Sequence, residues 1–321
     1  MIVVGIESSC DETGVALVKN NKTLLANIVA SSLKYHSRHG GVVPEIASRM
    51  QLESIAGVFS RALKVSRLKP WQIDLVAVTS HPGLPGSLIV GAAFAKALAL
   101  SLNKPLIGID HIHSHIFSNR LAYPDLKLPA VALVVSGGHT TLFYLKDFTD
   151  IRVLGQTRDD ACGEAFDKVA KIMGLGYPGG PQVEKAAVHG NPRKIKFACL
   201  NTEKNLDFSF SGIKTAVLYY LKNRQPVGQD RRDLAASFQE SVLNVLVNKA
   251  LAACKKMHTS RLLIGGGVAA NRCLRQKLQS CAHKAGIACF FPEMGLCMDN
   301  AAMVAGLGGY LYQRGVRGGL E

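Results

Sequence analysis

The feature that most limits what this chain can fold into is a turn written twice in different chemistry. Residues 2–6 are apolar and run into Glu7-Ser8-Ser9-Cys10-Asp11-Glu12-Thr13-Gly14, after which residues 15–18 are apolar again. Residues 130–135 do the same, running into Ser136-Gly137-Gly138-His139-Thr140 and then into residues 141–145. Each reads as a strand, a small polar turn and a returning strand. A turn of Gly, Ser and Thr lets backbone N–H groups and hydroxyls converge on one space, which is how a fold holds phosphate or carboxylate oxygens. Two such turns half a chain apart predict two related lobes serving one anionic ligand.

A third turn adds to this. Residues 261–264 form an apolar strand, Gly265-Gly266-Gly267 follows, and residues 268–279 continue as an expected helix with Asn271 in its first turns. Strand, glycines and helix N-terminus together make an anion or nucleotide site. The Gly-x-Gly-x-x-Ala spacing also matches a dinucleotide fingerprint, with a later strand at 287–291 and an acid at Glu293, but it lies late in the chain and in a single unit.

With 321 residues the chain is long enough for about two domains. The polar, proline-marked segment 121–129 separates two periodic regions, which places the division at 1–125 and 126–321. The last helix is free to pack back on the first lobe. Lys and Arg number 38 against 23 Asp and Glu, a net charge of +15. Lys185, Arg193, Lys194, Lys196, Lys204, Lys214, Lys222, Arg224, Arg231 and Arg232 fall in one stretch. Such a stretch attracts polyanions, nucleic acid first among them.

The 8 cysteines include no Cys-x-x-Cys pair, which fits a reduced, cytoplasmic compartment. The start lacks the basic and long apolar segments of a signal peptide. Residues 83–102 are nearly apolar over a membrane-like length, yet Lys96 and the small residues Gly86 and Gly91 point to a buried core helix, so no membrane is expected.

Asp110-His111-Ile112-His113-Ser114-His115 is the densest chemical signal. On a helix, His111 and His115 share one face and His113 points elsewhere. Two imidazoles so placed can grip a divalent metal with a carboxylate from a distant segment, and Asp299, ahead of the apolar run from Ala301, is the candidate. Plain N-capping is the other reading of Asp299. Two His and one carboxylate suit iron(II) or zinc equally. A metalloprotease would need Glu directly after the first His, where Ile112 stands.

Taken together, these segments resemble the bacterial tRNA N6-adenosine threonylcarbamoyltransferase (TsaD) family, once labelled O-sialoglycoprotein endopeptidase. The resemblance spans essentially the whole chain. It is carried by residues 5–13, Gly40-Gly41-Val42-Val43-Pro44-Glu45, His111 with His115, and Val135-Ser136-Gly137-Gly138-His139-Thr140. Further on it rests on Gly163-Glu164-Ala165-Phe166-Asp167-Lys168, Tyr177-Pro178-Gly179-Gly180-Pro181, Asp207-Phe208-Ser209-Phe210-Ser211-Gly212, Gly266-Gly267-Val268-Ala269-Ala270-Asn271 and Asp299-Asn300.

The family implies an α/β fold of two ribonuclease-H-like lobes, that of the actin, Hsp70 and sugar-kinase (ASKHA) superfamily, with a nucleotide cleft between them. The implied reaction moves a threonylcarbamoyl group from threonylcarbamoyl-AMP to N6 of the adenosine beside the anticodon, in tRNAs reading codons that begin with A. His111, His115 and Asp299 are the implied metal ligands, with iron(II) favoured and zinc the alternative. Val134, Val135, Ser136, Gly137, Gly138, Asp167, Gly180, Glu184 and Asn271 are the implied substrate contacts. Asp11 and Glu12, on the first hairpin, are the implied acids near the reacting groups. Glu184 stands where the family carries Asp, His113 where it carries an acid, and His81-Pro82 precede its Gly-Leu segment. The implied partners are tRNA, a dimerising TsaB-like paralogue and a small TsaE-like ATPase. A superfamily small-molecule kinase is an alternative that needs no metal histidines. A non-catalytic partner subunit is another, and the paralogue that plays this part lacks them.

Overall fold

The computed structural model describes residues 1–197 and 205–318; Cys199 and Lys204 lie outside the described residues. The chain divides into two compact units, Met1–Leu126 with Pro292–Glu321, and Lys127–Phe291.

The first unit opens with β1 (Ile2–Glu7), β2 (Glu12–Lys19) and β3 (Thr23–Ser31), followed by the short α1 (Leu33–His36) and the long α2 (Pro44–Ser66). Then come β4 (Leu75–His81), α3 (Pro85–Leu102), β5 (Leu106–Asp110) and α4 (His111–Ala122). The sheet order is β3-β2-β1-β4-β5, with β1 antiparallel to β2 and parallel to β4. Val4, Ile6, Val76 and Val78 pack with Ile55 and Val58 of α2 and Ala95 and Ala99 of α3 in one core. Pro44 and Pro85 open the two helices at their first turns, where a missing N–H costs nothing. Arg67 and Asn103 close them in the left-handed conformation.

The expectation that residues 83–102 are a buried core helix is corrected here. Only Ser87, Gly91, Ala95 and Ala99 of α3 are buried, while Ile89 is 67% and Leu100 84% exposed. The small residues form the buried stripe, Val90, Phe94, Leu98 and Leu102 flank it half-buried against the core, and Ile89 and Leu100 face outward. Among the described residues α3 is the one helix long and apolar enough to cross a membrane.

The second unit contains β6 (Ala130–Val135), β7 (Thr140–Asp147), β8 (Asp150–Gln156), α5 (Cys162–Ile172), α6 (Gly179–Ala186), α7 (Ser211–Leu221) and α8 (Gly228–Lys256). It ends with β9 (Arg261–Gly265), α9 (Arg272–Lys284) and β10 (Ala288–Phe290). Its sheet order, β10-β9-β6-β7-β8, is that of the first unit read from the other end. The central β6 is again antiparallel to its successor and parallel to the strand on its other side. The doubled turn of the sequence is thus a doubled sheet. α8 contacts β6 and β9 and buries Leu234, Leu243, Leu246 and Ala250.

The chain then returns to the first unit with α10 (Ala301–Gln313), which contacts β1, β2, β4, β5 and α4. Both faces of that sheet are therefore covered, which is why its central strands are apolar without alternation. The approach is close: a Cβ on Gly5 would overlap the Ala301 carbonyl and the Ala305 amide. The division at 126–321 is revised accordingly, because residues 292–321 complete the first unit. The helix expected over 268–279 is also broken. A short turn at Gly267–Ala270 precedes α9, since the Asn271 side chain accepts from Leu274 N and starts a new helix.

Candidate functional site

In the first unit β5 ends at Asp110, whose side chain accepts from the His113 N–H at 2.8 Å and caps α4. The helix therefore begins on His111, and one turn later His115 lies on the same face, the two rings 4.7 Å apart and edge to face. Asp299 arrives from the loop before α10. Its Oδ1 lies 3.1 Å from His115 Nε2 and 3.5 Å from His111 Nε2. The donor atoms of the three residues fall within 4.8 Å of one another. Ligands in a tetrahedron of ~2.0–2.1 Å bonds sit about 3.3 Å apart, so both carboxylate–imidazole separations fit a shared metal. His115 Nδ1 is buried without a hydrogen-bond partner.

The N-capping alternative for Asp299 does not hold. Asn300 caps α10, accepting from Met303 N at 3.2 Å, and this leaves the Asp299 carboxylate one residue outside the helix. His113 does not join the cluster. Its Nδ1 is 4.0 Å from Asp110 Oδ2, and His81 Nε2 approaches the same oxygen at 3.4 Å.

Sequence reasoning passed over Glu7. This carboxylate is buried, and its Oε2 lies 3.0 Å from His111 Nδ1. Burial opposes its ionisation, but His111 and the Ser9 side chain outweigh this and hold it below its usual value. Burial likewise opposes the charge on His111, and the Glu7 and Asp299 carboxylates outweigh it, raising the imidazole to about 9. The chain without metal thus carries a proton where a cation would sit, and binding one releases it. Glu12 is pushed up to about 10 by burial and by the nearby Asp299 and Asp11 charges. With no cation beside it, Glu12 therefore holds its proton at neutral pH. The one sequence signal for Glu7 was an acid at the end of an apolar strand.

The other expected residues gather in the second unit, at the C-terminal ends of β6 and β9. Val134 and Val135 are fully buried at the end of β6 and paired within the sheet, so they shape the floor of the turn. The Ser136 N–H donates to the His139 carbonyl and the His139 N–H to Ser136 Oγ, closing the turn. No atom lies within 4 Å of where a Cβ on Gly137, Gly138 or Gly180 would be. The turn is tied to α5 by the Gly163 N–H on the Ser136 carbonyl at 3.1 Å and by Cys162 N on Thr140 Oγ1 at 2.9 Å.

Asp167 of α5 accepts from Gly179 N at 2.6 Å and is raised by burial, partly offset by that N–H. Gly179 is the glycine required by close approach, since a Cβ there would come within 2.5 Å of Asp167 Cα. Glu184 accepts from Arg272 N at 2.7 Å, so it serves the N-terminus of α9. Asn271 caps α9 and gives an amide hydrogen to Gln239 at 3.0 Å, leaving it one further hydrogen and one lone pair. Gly266, at φ +87, backs onto the Val135 carbonyl. Strand ends and the N-termini of α5, α6 and α9 so joined form a place where anionic ligands bind in α/β sheets.

The family described as TsaD, tRNA N6-adenosine threonylcarbamoyltransferase, matches residues 23–306. The tRNA N6-adenosine threonylcarbamoyltransferase of Moorella thermoacetica is 54% identical over 315 residues, 97% of this chain and 92% of that one. Among solved structures, full-length HypF in its phosphate- and nucleotide-bound form superposes with a TM-score of 0.65 at 13% identity, over 98% of this chain and 46% of that one. Component A of (R)-2-hydroxyglutaryl-CoA dehydratase from Acidaminococcus fermentans does so with 0.58 at 13% identity, over 98% of each chain. At such identity these two show the fold alone, the two-lobed α/β fold of the ASKHA superfamily. The chain belongs to the TsaD family of tRNA N6-adenosine threonylcarbamoyltransferases.

Proposed function

We propose that the chain is an acyltransferase that moves the threonylcarbamoyl group of threonylcarbamoyl-AMP to N6 of the adenosine beside the anticodon, in tRNAs reading codons that begin with A. The N6–C bond forms, the C–O bond to phosphate breaks, AMP leaves, and N6 gives up a proton. Family membership sets the reaction, and the meeting of His111, His115 and Asp299 on one oxygen is the observation that carries it to this chain. A small-molecule kinase has no use for that meeting.

An adenine amine is a weak nucleophile, because its lone pair is delocalised into the ring, so the electrophile must be activated. A divalent metal held by His111, His115 and Asp299, iron(II) by family resemblance or zinc, would supply a Lewis acid for the carbamoyl carbonyl or the departing phosphate. The turn of Val134, Val135, Ser136, Gly137 and Gly138 receives the adenylate, with the two glycines leaving open space for it to approach the main chain. Asp167 and Gly180 bind its nucleoside end, and Glu184 and Asn271 keep the N-terminus of α9 in register beside it. Asp11 and Glu12, on the first hairpin, are the acids offered to take the proton from N6.

The exposed Lys185, Arg193, Lys194, Lys222, Arg224 and Arg232 meet the tRNA phosphates. The chain works in the cytoplasm with a TsaB-like paralogue and a small TsaE-like ATPase. The test is transfer of labelled threonylcarbamoyl from its adenylate to unmodified tRNA, with those partners added and metal present or chelated. Incorporation that chelation abolishes supports the reaction and its metal together. Incorporation that chelation leaves intact removes the metal. No incorporation by the folded chain under any condition returns the kinase reading.

A further inference from the structure

A buried carboxylate costs several kcal/mol unless its neighbours compensate it, and Glu7 is wholly buried. It ends β1, at the lip of the first turn, and two donors, one on each of its oxygens, hold it. The Ser9 N–H donates to Oε1 at 2.6 Å. The Thr79 hydroxyl, on the neighbouring β4, donates to Oε2 at 2.7 Å. His111 Nδ1 lies 3.0 Å from the same Oε2, and Ser9 Oγ lies 3.2 Å from that nitrogen. An ionised carboxylate can only accept, so the Nδ1 of His111 is the protonated nitrogen and its Nε2 is the one turned to Asp299 at 3.5 Å.

Resting on the metal reading above, we infer that Glu7 is a positioning residue. Held by Ser9 and Thr79, it fixes the tautomer and the ring plane of His111, so that this ligand offers Nε2 to the metal and never Nδ1. A second carboxylate of this kind raises the basicity of a ligating imidazole and spares the ring a choice of orientations. The side-chain type follows from the donor count. Gln has one oxygen for three donors, and its NH₂ would face either the Ser9 N–H or the Thr79 and His111 donors. Asp is one methylene too short to span from β1 to the ring. Unlike His111, His115 has a buried Nδ1 with no such partner, so the two ligands are unequal and His111 is the preset one.

The test uses the full chain with zinc as the probe. In the zinc-loaded wild-type protein, nitrogen-15 NMR of the histidine rings is expected to show His111 protonated at Nδ1 and coordinated through Nε2. Coordination through Nδ1 overturns the inference without any variant. In Glu7→Gln the zinc affinity, read by chelator competition, is expected to fall about 10- to 100-fold, with Thr79→Val showing a smaller loss in the same direction. A folded Glu7→Gln protein that binds zinc within twofold of wild type overturns it as well. Wild-type protein that binds no zinc or iron(II) at all removes the metal reading itself, which a failure confined to Nδ1 or to Glu7 does not.

Discussion

The two central turns of this chain share a scaffold and differ in what fills them. Each joins a buried strand to an antiparallel partner beside a parallel third strand. The first is packed with the protein's own charge. Glu7, Ser8 and Ser9 are buried, Glu7 is spent on His111, and in the metal-free chain burial, with the Asp299 and Asp11 charges, keeps a proton on Glu12 at neutral pH. The second is almost uncharged, and its two glycines face open space. One turn concentrates negative charge, and the other is uncharged around two open glycines. A duplicated fold can thus carry different chemistry in its two halves without changing the backbone plan.

The strongest way to break this division is to cross it. His111→Ala should abolish metal binding and transfer while the fold, followed by circular dichroism, is kept. Gly137→Val should leave metal content untouched and raise the KM for the adenylate about tenfold or more, a cost of ~1.4 kcal/mol. A Gly137→Val protein that lost its metal, or a His111→Ala protein with normal transfer, would show that the turns are not specialised in this way.

A stability comparison comes next. Gly5→Ala places a Cβ into the Ala301 carbonyl beneath α10, and overpacking of this kind costs about 1–3 kcal/mol or more. Gly137→Ala meets nothing and should change stability by less than about 0.5 kcal/mol. Urea denaturation of both variants checks this, and equal losses would mean that the second turn is as tightly built as the first.

The response to pH separates the halves further. In the metal-free protein the folded pKa of His111, about 9, lies above its ordinary 6.5. Its stabilisation is therefore complete below about 6.5 and lost as pH rises through about 9. Glu12, raised from 4.5 to about 10, adds a loss of the same sign over that range. In the second unit the sign reverses. Asp207 is lowered by the Gln156 N–H and Arg158, against the effect of burial. For Asp159 burial works upward but is outweighed by donors from Ser209, Phe210 and Ser211. Their contributions are present above the ordinary carboxylate range and vanish as pH falls through the lowered values. The melting temperature should fall by on the order of 5 °C between pH 6.5 and 9, and His111→Ala or bound metal should flatten that limb while leaving the acid limb as it was.

What the sequence made legible follows from what each feature depends on. The strand–turn–strand pairs, the capped start of α4 and the helical spacing of His111 and His115 are local, and apolar runs broken by polar turns, together with spacing, reveal them. The association of α10 with the first sheet is not local, since it turns on how closely Gly5 and Gly308 let a distant helix approach. The part played by Glu7 was hidden for the same reason: its partners come from β4 and α4, 72 and 104 residues away. Asn271 and Glu184 are ligand contacts by resemblance, and the geometry adds hydrogen bonds to the N-terminus of α9 that no spacing rule reveals.

The smallest expected effect concerns two adjacent residues, and it separates a cap from a ligand. Asn271 and Asn300 open α9 and α10 in the same way, each accepting from the amide three residues on. Asn300→Ala should cost about 1 kcal/mol of stability and lower metal affinity only slightly, through fraying of the turn that carries Asp299. Asp299→Ala should leave the helix capped, with its cost in the metal-free state confined to the lost pairing with His111 and His115 and smaller above about pH 9, where His111 is uncharged, yet it should remove one of three ligands. Thermal melts and zinc titrations of the two variants distinguish these outcomes. If Asp299→Ala destabilises the metal-free protein as much as Asn300→Ala does, the carboxylate is part of the cap after all. The charge gathered at the first turn would then belong to the fold rather than to the site.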